Sequence, residues 1–342
     1  MKTQNGLILP PRENIDPELH PILTRRYTIV TPIMEALIAE TVQWINNGVT
    51  GAIIEGDPRR GKTKARRLMA QVLPMHFPRL PVFQMIARHY AHPSERVFFG
   101  DLLKAFKHSM YSEGTAAQRR DRLMEGVVSV VQSSGQDRLV LFIDQAHRLL
   151  EMHYDWLVDF HDELSERGIE LFVFLIGQRE IATVCDELRR AGKTQIIGRF
   201  MADRVRYFGI RSVKDLKACL ASYDDKSRFP DDTDWTFTRY YFPEAYAAGW
   251  RLAHHAEAFW AAFDEVRRHG AVSGAMEIPM QHFVRAVERF LLDAELSAQG
   301  EPVVSSAKLN DYVAATLFAG SLRNQWQVAD GDEEEEGEGR DE

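Results

Sequence analysis

Residues 51–67 read GAIIEGDPRRGKTKARR. The segment opens on a short apolar run, Gly51 to Glu55, with the character of a buried strand. It continues into Gly56-Asp57-Pro58-Arg59-Arg60-Gly61-Lys62-Thr63, which fits the phosphate-loop pattern GxxxxGK[ST]. From Lys62 the periodicity predicts a helix to Leu73, stopped at Pro74. Strand, glycine loop and helix in this order make a cradle for phosphate. Gly56 and Gly61 let the backbone curl so that its N–H groups face phosphate oxygens. Lys62 reaches the β- and γ-phosphates, and the Thr63 hydroxyl ligates Mg2+. The expected ATP contacts are the loop from Gly56 to Thr63 with Lys64.

Such a site needs an acidic partner at the end of another strand. Leu139-Val140-Leu141-Phe142-Ile143 is wholly apolar and ends at Asp144, about 80 residues after the loop. Asp144 is the expected second holder of Mg2+, opposite Thr63. The next residue is Gln145, where many ATPases of this type carry a glutamate that polarises the attacking water. A glutamine orients water but does not take its proton, so slow hydrolysis is expected, or help from another carboxylate such as Glu151. Gln178 follows the apolar strand Leu171–Ile176. It is placed either to sense the γ-phosphate and the water or to start the helix that follows.

Around these motifs, short apolar strands alternate with amphipathic helices. Strands are expected at 51–55, 82–87, 139–144, 171–176 and 205–210. Helices are expected at 32–46, 62–73, 95–110, 116–132, 156–167 and 181–190. This alternation means an α/β fold with a parallel sheet covered by helices on both faces. After Arg211 the strands stop, and helices are expected at 213–222, 242–268, 279–298 and 306–318. The expected organisation is an extended arm over 1–30, a nucleotide-binding domain over 31–211, a helical lid over 212–325 and a disordered acidic tail over 326–342.

The formal net charge is −8, and the last 13 residues, DGDEEEEGEGRDE, carry all of it. The remainder holds 41 basic and 41 acidic residues, so charge does not argue against a nucleic-acid partner. The tail either solubilises the chain, docks a basic partner, or competes with DNA for a basic stripe. Two cysteines without CxxC spacing read as free thiols. The absence of a long apolar run or a signal peptide makes a cytoplasmic protein without a membrane contact the expectation. The histidines lack metal-ligand spacing. Trp235, Phe237, Tyr240, Tyr241, Phe242, Tyr246 and Trp250 read as core packing of the lid in preference to a base-stacking platform.

The combination GDPRRGKT, LVLFIDQAHRL, FVFLIGQREI and IIGRFMADRVRYF resembles AAA+ P-loop ATPases. With SERVFFGDLLKAF and YYFPEAYAAGWRLAHHAEAFWAAF, the chain is similar to the TnsC/TniB transposition regulators, including those of CRISPR-associated transposons, over about residues 30–300. The resemblance implies an ATP-dependent homo-oligomer, a hexameric or heptameric ring or a helical filament, on double-stranded DNA. It implies links to a TniQ/TnsD-like target-selection protein and a TnsB/TniA-like transposase. It also implies an arginine finger in the neighbour's ATP site, for which Arg199 is the first candidate and Arg204 the second. Arg285 is the candidate lid contact to the γ-phosphate. Lys104 and Lys107, read as three apart on one helical face, with Arg119, Arg120 and Arg122 would face the duplex and touch phosphates without reading bases. Two other readings use the same loop: a free-standing metabolic or signalling NTPase, and the ATPase of a secretion or envelope machine.

Overall fold

The computed structural model describes residues 12–270, 274–297, 302–303 and 305–322. The acidic stretch from Asp330 lies outside these residues. The chain divides into two units, Ile33–Phe208 and Met1–Pro32 with Gly209–Glu342.

The first unit is built on five strands: β1 (Gly51–Glu55), β2 (Val82–Ile86), β3 (Arg138–Asp144), β4 (Glu170–Gly177) and β5 (Asp203–Arg206), in the order β2-β3-β4-β1-β5. Every pairing is parallel. The helices are α1 (Pro32–Asn46), α2 (Lys62–His76), α3 (Glu95–Ala105), α4 (Ala116–Ser134), α5 (Glu151–Glu166), α6 (Glu180–Arg190) and α7 (Thr194–Phe200). Alternation along the central strands explains why they read as continuous apolar runs. Leu139, Leu141 and Ile143 of β3, with Leu171, Val173 and Leu175 of β4, enter one core; Val140, Phe142, Phe172, Phe174 and Ile176 enter the core on the opposite face. A strand buried on both faces has no polar side to show.

Local chemistry sets several boundaries that pattern alone misplaces. α2 runs through Pro74 to His76. A proline near a helix end costs one hydrogen bond, which the final turn tolerates better than the interior. α3 stops at Ala105, short of the expected Met110, and Lys107 turns left-handed at φ 59°. β5 is Asp203–Arg206, two residues earlier than expected, because its register beside β1 runs from Ala52↔Asp203 to Glu55↔Arg206. α4 opens with a reciprocal capping box between Thr115 and Gln118.

The second unit is helical: α8 (Val213–Ala221), α9 (Phe237–Tyr241), α10 (Pro243–Ala247), α11 (Ala256–His269), α12 (Met280–Leu291), α13 (Ala294–Ser297) and α14 (Ser306–Ala314). The single helix expected over 242–268 is broken, with Gly249 at φ 97° and a 3-10 turn at Leu252–His255 before α11. From Arg12 the expected extended arm is instead a series of short turns at Arg12–Asn14, Pro17–Leu19 and Pro21–Thr24. Ile22 and Ile29 are buried in this unit's core with Phe237, Phe242 and Trp250, and Trp235 and Tyr240 bury beside Ile15. These aromatics are therefore core, as expected, and not a stacking platform. Among the described residues, no helix is long and apolar enough to cross a membrane.

Candidate nucleotide site

The C-terminal ends of β1, β3 and β4 carry the site. Ligands of open parallel sheets gather at this edge. The phosphate loop leaves β1 at Gly56, whose N–H donates to the Gly177 carbonyl at 3.3 Å. A Cβ at Gly56 would lie 2.3 Å from the Tyr207 carbonyl oxygen, so the loop passes too close to the segment after β5 for any side chain. Gly61 enters α2 at φ 103°, a conformation costly for other residues.

Lys62 is buried, and its ammonium donates to the Gly56 carbonyl and, at 2.9 Å, to the Asp57 carbonyl. Burial lowers its pKa to about 8, against the pull of Asp57 and Asp144. Thr63 Oγ1 donates to Asp144 Oδ2 at 3.0 Å. The two residues expected to share a metal thus meet. A hydroxyl beside a carboxylate supplies the hard oxygens that Mg2+ takes, so this donor set fits the ion. Asp144 Oδ1 accepts the Gln145 N–H at 2.9 Å.

Gln145 is left-handed at φ 60°, a strained conformation for a residue with a Cβ. The Gln178 N–H donates to His147 Nδ1 at 3.3 Å, which ties the ends of β3 and β4 together. Burial lowers the pKa of His147, with Glu180 opposing. Glu151 is not free as a base, because it pairs with Lys193 at 2.8 Å.

Three basic residues that sequence reasoning did not place here surround the site. Arg179 grips Asp57 with two contacts, Nε at 2.5 Å and Nη2 at 2.9 Å, while Arg60 approaches the same carboxylate at 3.5 Å and Arg206 at 4.0 Å. Burial pushes the Asp57 carboxyl up, but Arg179, then Arg60 and Arg206, outweigh it and hold its pKa below the usual value. The third missed residue is Arg66, whose Nε lies 3.2 Å from Asp144 Oδ2. Its place one turn after Thr63 was the available signal, since residues three apart share a helix face. Arg60, expected as an ATP contact, is buried, whereas Pro58 and Arg59 are exposed and Lys64 is half-buried.

Arg199, in the last turn of α7, makes a two-toothed pair with Asp162 of α5, both bonds at 3.0 Å. Arg204 pairs with the buried Glu55 carboxylate. Arg285 is exposed on α12 of the other unit. The basic set proposed for DNA needs correction. Lys104 lies in the last turn of α3 but Lys107 lies beyond its end, so the two do not share a helical face; both are exposed. Arg119 is buried, and its guanidinium donates to the carbonyls of Arg96, Ser112 and Glu113. It is a structural clamp and is not presented to a phosphate. Arg122 likewise donates to the carbonyls of Met110 and Glu113, and Arg120 pairs with Glu95 at 3.6 Å.

Residues 48–185 match the family model of the AAA domain. Among solved structures, the chain is similar to the ORC2 protein of Aeropyrum pernix in its ADPNP-ADP complexes, at 11% identity over 88% of this chain and 90% of that one, with a TM-score of 0.43. It is similar to domain III of the Thermotoga maritima replication initiation protein DnaA, at 13% identity over 88% and 98%, TM-score 0.45. It is also similar to the Drosophila ORC bound to DNA, at 14% identity over 93% and 70%, TM-score 0.45. No curated protein matches. The domain match and the β2-β3-β4-β1-β5 order together give an AAA+ P-loop fold with a helical C-terminal region.

Proposed function

We propose that this chain is an ATP-dependent, sequence-tolerant DNA-binding regulator of transposition, of the TnsC/TniB kind. It oligomerises on double-stranded target DNA and connects a target-selection protein to the transposase. The observation that carries the nucleotide half is the contact of Thr63 with Asp144 at the ends of β1 and β3, beside a buried Lys62 that turns into the loop. The DNA and transposition half is supported by the motif resemblance and by the exposed lysines at 104 and 107.

In this reading the loop N–H groups hold the phosphates, and the Lys62 ammonium exchanges its two loop carbonyls for phosphate oxygens. Thr63 and Asp144 hold Mg2+, which neutralises charge on the β- and γ-phosphates when bound. Gln145 and Gln178 orient the attacking water. Neither takes its proton, so turnover is slow and the bound triphosphate persists. Arg199 leaves Asp162 to complete the ATP site of the next subunit, with Arg204 as the second choice. Arg285 adds a lid contact to the γ-phosphate. Lys104, Lys107 and Arg120 contact backbone phosphates, which gives affinity without base reading.

The test is negative-stain microscopy of the purified chain with ATP, with duplex DNA, and with both. Rings or filaments formed only with both are expected. A chain that binds no ATP, or stays monomeric with both, defeats the proposal.

A further inference from the structure

Arg66 is a cation built into the metal side of the nucleotide site. Its side chain is only 5% exposed, and its Nε lies 3.2 Å from Asp144 Oδ2. That same oxygen accepts the Thr63 hydroxyl at 3.0 Å. The other end of the guanidinium is fixed, because Nη1 donates to Gln84 Oε1 of β2 at 2.7 Å. Asp144, itself buried, therefore accepts the Thr63 hydroxyl on Oδ2 and the Gln145 N–H on Oδ1, with the Arg66 guanidinium ion-paired beside Oδ2. The two hydrogen bonds use about half of the roughly four lone-pair positions of a carboxylate, and the guanidinium charge lies against one of its oxygens.

Thr63 and Asp144 would hold a divalent ion beside this fixed positive charge. Burial lowers the pKa of Arg66, with Asp144 opposing. A guanidinium starts so far above neutrality that it stays charged and cannot step aside by losing a proton, as a buried lysine can. Burial and the Gln84 anchor hold it where it is. Two effects follow from one placement. The cation takes part of the carboxylate's charge, so Asp144 binds metal less tightly than an unshared carboxylate would. It also adds a further buried positive charge, one turn beyond the phosphate loop, to those of Lys62 and Arg60, so the triphosphate is compensated in part without metal.

We infer that Arg66 shares Asp144 with the metal ion, so that nucleotide binding here depends weakly on Mg2+ and Mg2+ itself is held weakly. The inference rests on the nucleotide reading of the loop.

The test measures the affinity of a fluorescent ATP analogue for the full chain in excess Mg2+ and in EDTA. In the wild type, the metal-free affinity should lie within about tenfold of the Mg2+ value. A loss beyond about a hundredfold in EDTA, with binding intact in Mg2+, overturns the inference and leaves the nucleotide reading standing. No binding under either condition defeats both. In Arg66→Met the metal-free affinity should fall by about tenfold or more, while Mn2+ binding with ADP, read by electron paramagnetic resonance, should tighten by a similar factor. A folded Arg66→Met chain that is unchanged in both respects also overturns it. If that variant does not fold, the wild-type comparison decides alone.

Discussion

The Lys62 ammonium donates to the Asp57 carbonyl at 2.9 Å, inside its own loop. The lysine that should grip phosphate is thus curled back and desolvated, which brings its pKa down to about 8. Phosphate favours the charged form, so the nucleotide-bound pKa must lie above this value. The sign follows. Below pH 8 the free chain already carries the proton and affinity is flat. Above pH 8 the free chain has lost it, binding must take one up, and affinity should fall by about tenfold per unit until the bound-state pKa is reached. Titration calorimetry in buffers of different ionisation enthalpy should show proton uptake above pH 8. Lys62→Arg, which stays charged, should bind without this fall.

Gln145 donates its N–H to Asp144 Oδ1 at 2.9 Å and holds a left-handed φ of 60°. Its backbone is therefore set at the end of β3 whatever its side chain does. Gln145→Glu should raise ATP turnover tenfold or more while leaving nucleotide affinity within about threefold, because a carboxylate accepts the proton that the amide refuses. An unchanged rate would count against the water-orienting role.

Arg199 is held by Asp162 through two bonds of 3.0 Å and is about one-third exposed, so it is tethered and accessible together. Arg199→Ala should lower turnover of the assembled protein by about 10³-fold or more, with ATP affinity of the isolated chain intact. Mixing Arg199→Ala with Lys62→Ala should restore part of the rate, since some junctions would then join an intact loop to an intact arginine. If the mixture stays inactive while an Arg204→Ala and Lys62→Ala mixture recovers, Arg204 is the finger.

The strands were legible because burial on both faces leaves the interiors of β3 and β4 without polar positions, and the phosphate loop because its glycines answer steric demands at Gly56 and Gly61. The convergence of Thr63 and Asp144 was also legible, since each sits at the end of an apolar strand or the start of the helix that follows. The residues that crowd the site were not. Arg179 and Arg206 reach Asp57 from neighbouring strand ends, and only the order β4-β1-β5 brings them there. Arg119 looks like a surface cation in sequence because a buried guanidinium satisfied by carbonyls leaves no periodic mark. The break in α3 at Ala105 escaped notice because Phe106 and Lys107 continue a helical pattern that the Lys107 backbone abandons.

Arg119 and the pair Lys104 and Lys107 separate structure from recognition within one surface region. Arg119 bridges α4 to the carbonyls of Arg96, Ser112 and Glu113. Arg119→Met would leave three acceptors unmatched and should cost about 2–4 kcal/mol of stability, seen as a lower Tm. The exposed lysines make no such contacts with the main chain, although Lys104 lies 5.7 Å from the ring centre of Tyr111. Lys104→Ala with Lys107→Ala should leave Tm nearly unchanged. If both lysines neutralise phosphates, the same double variant should weaken duplex binding for every sequence tested. Its log–log salt dependence should be shallower by about 1.8, from roughly 0.9 for each lost contact. Equal DNA affinity and equal slope in the double variant and the wild type would remove α3 and its following loop from the DNA-binding surface.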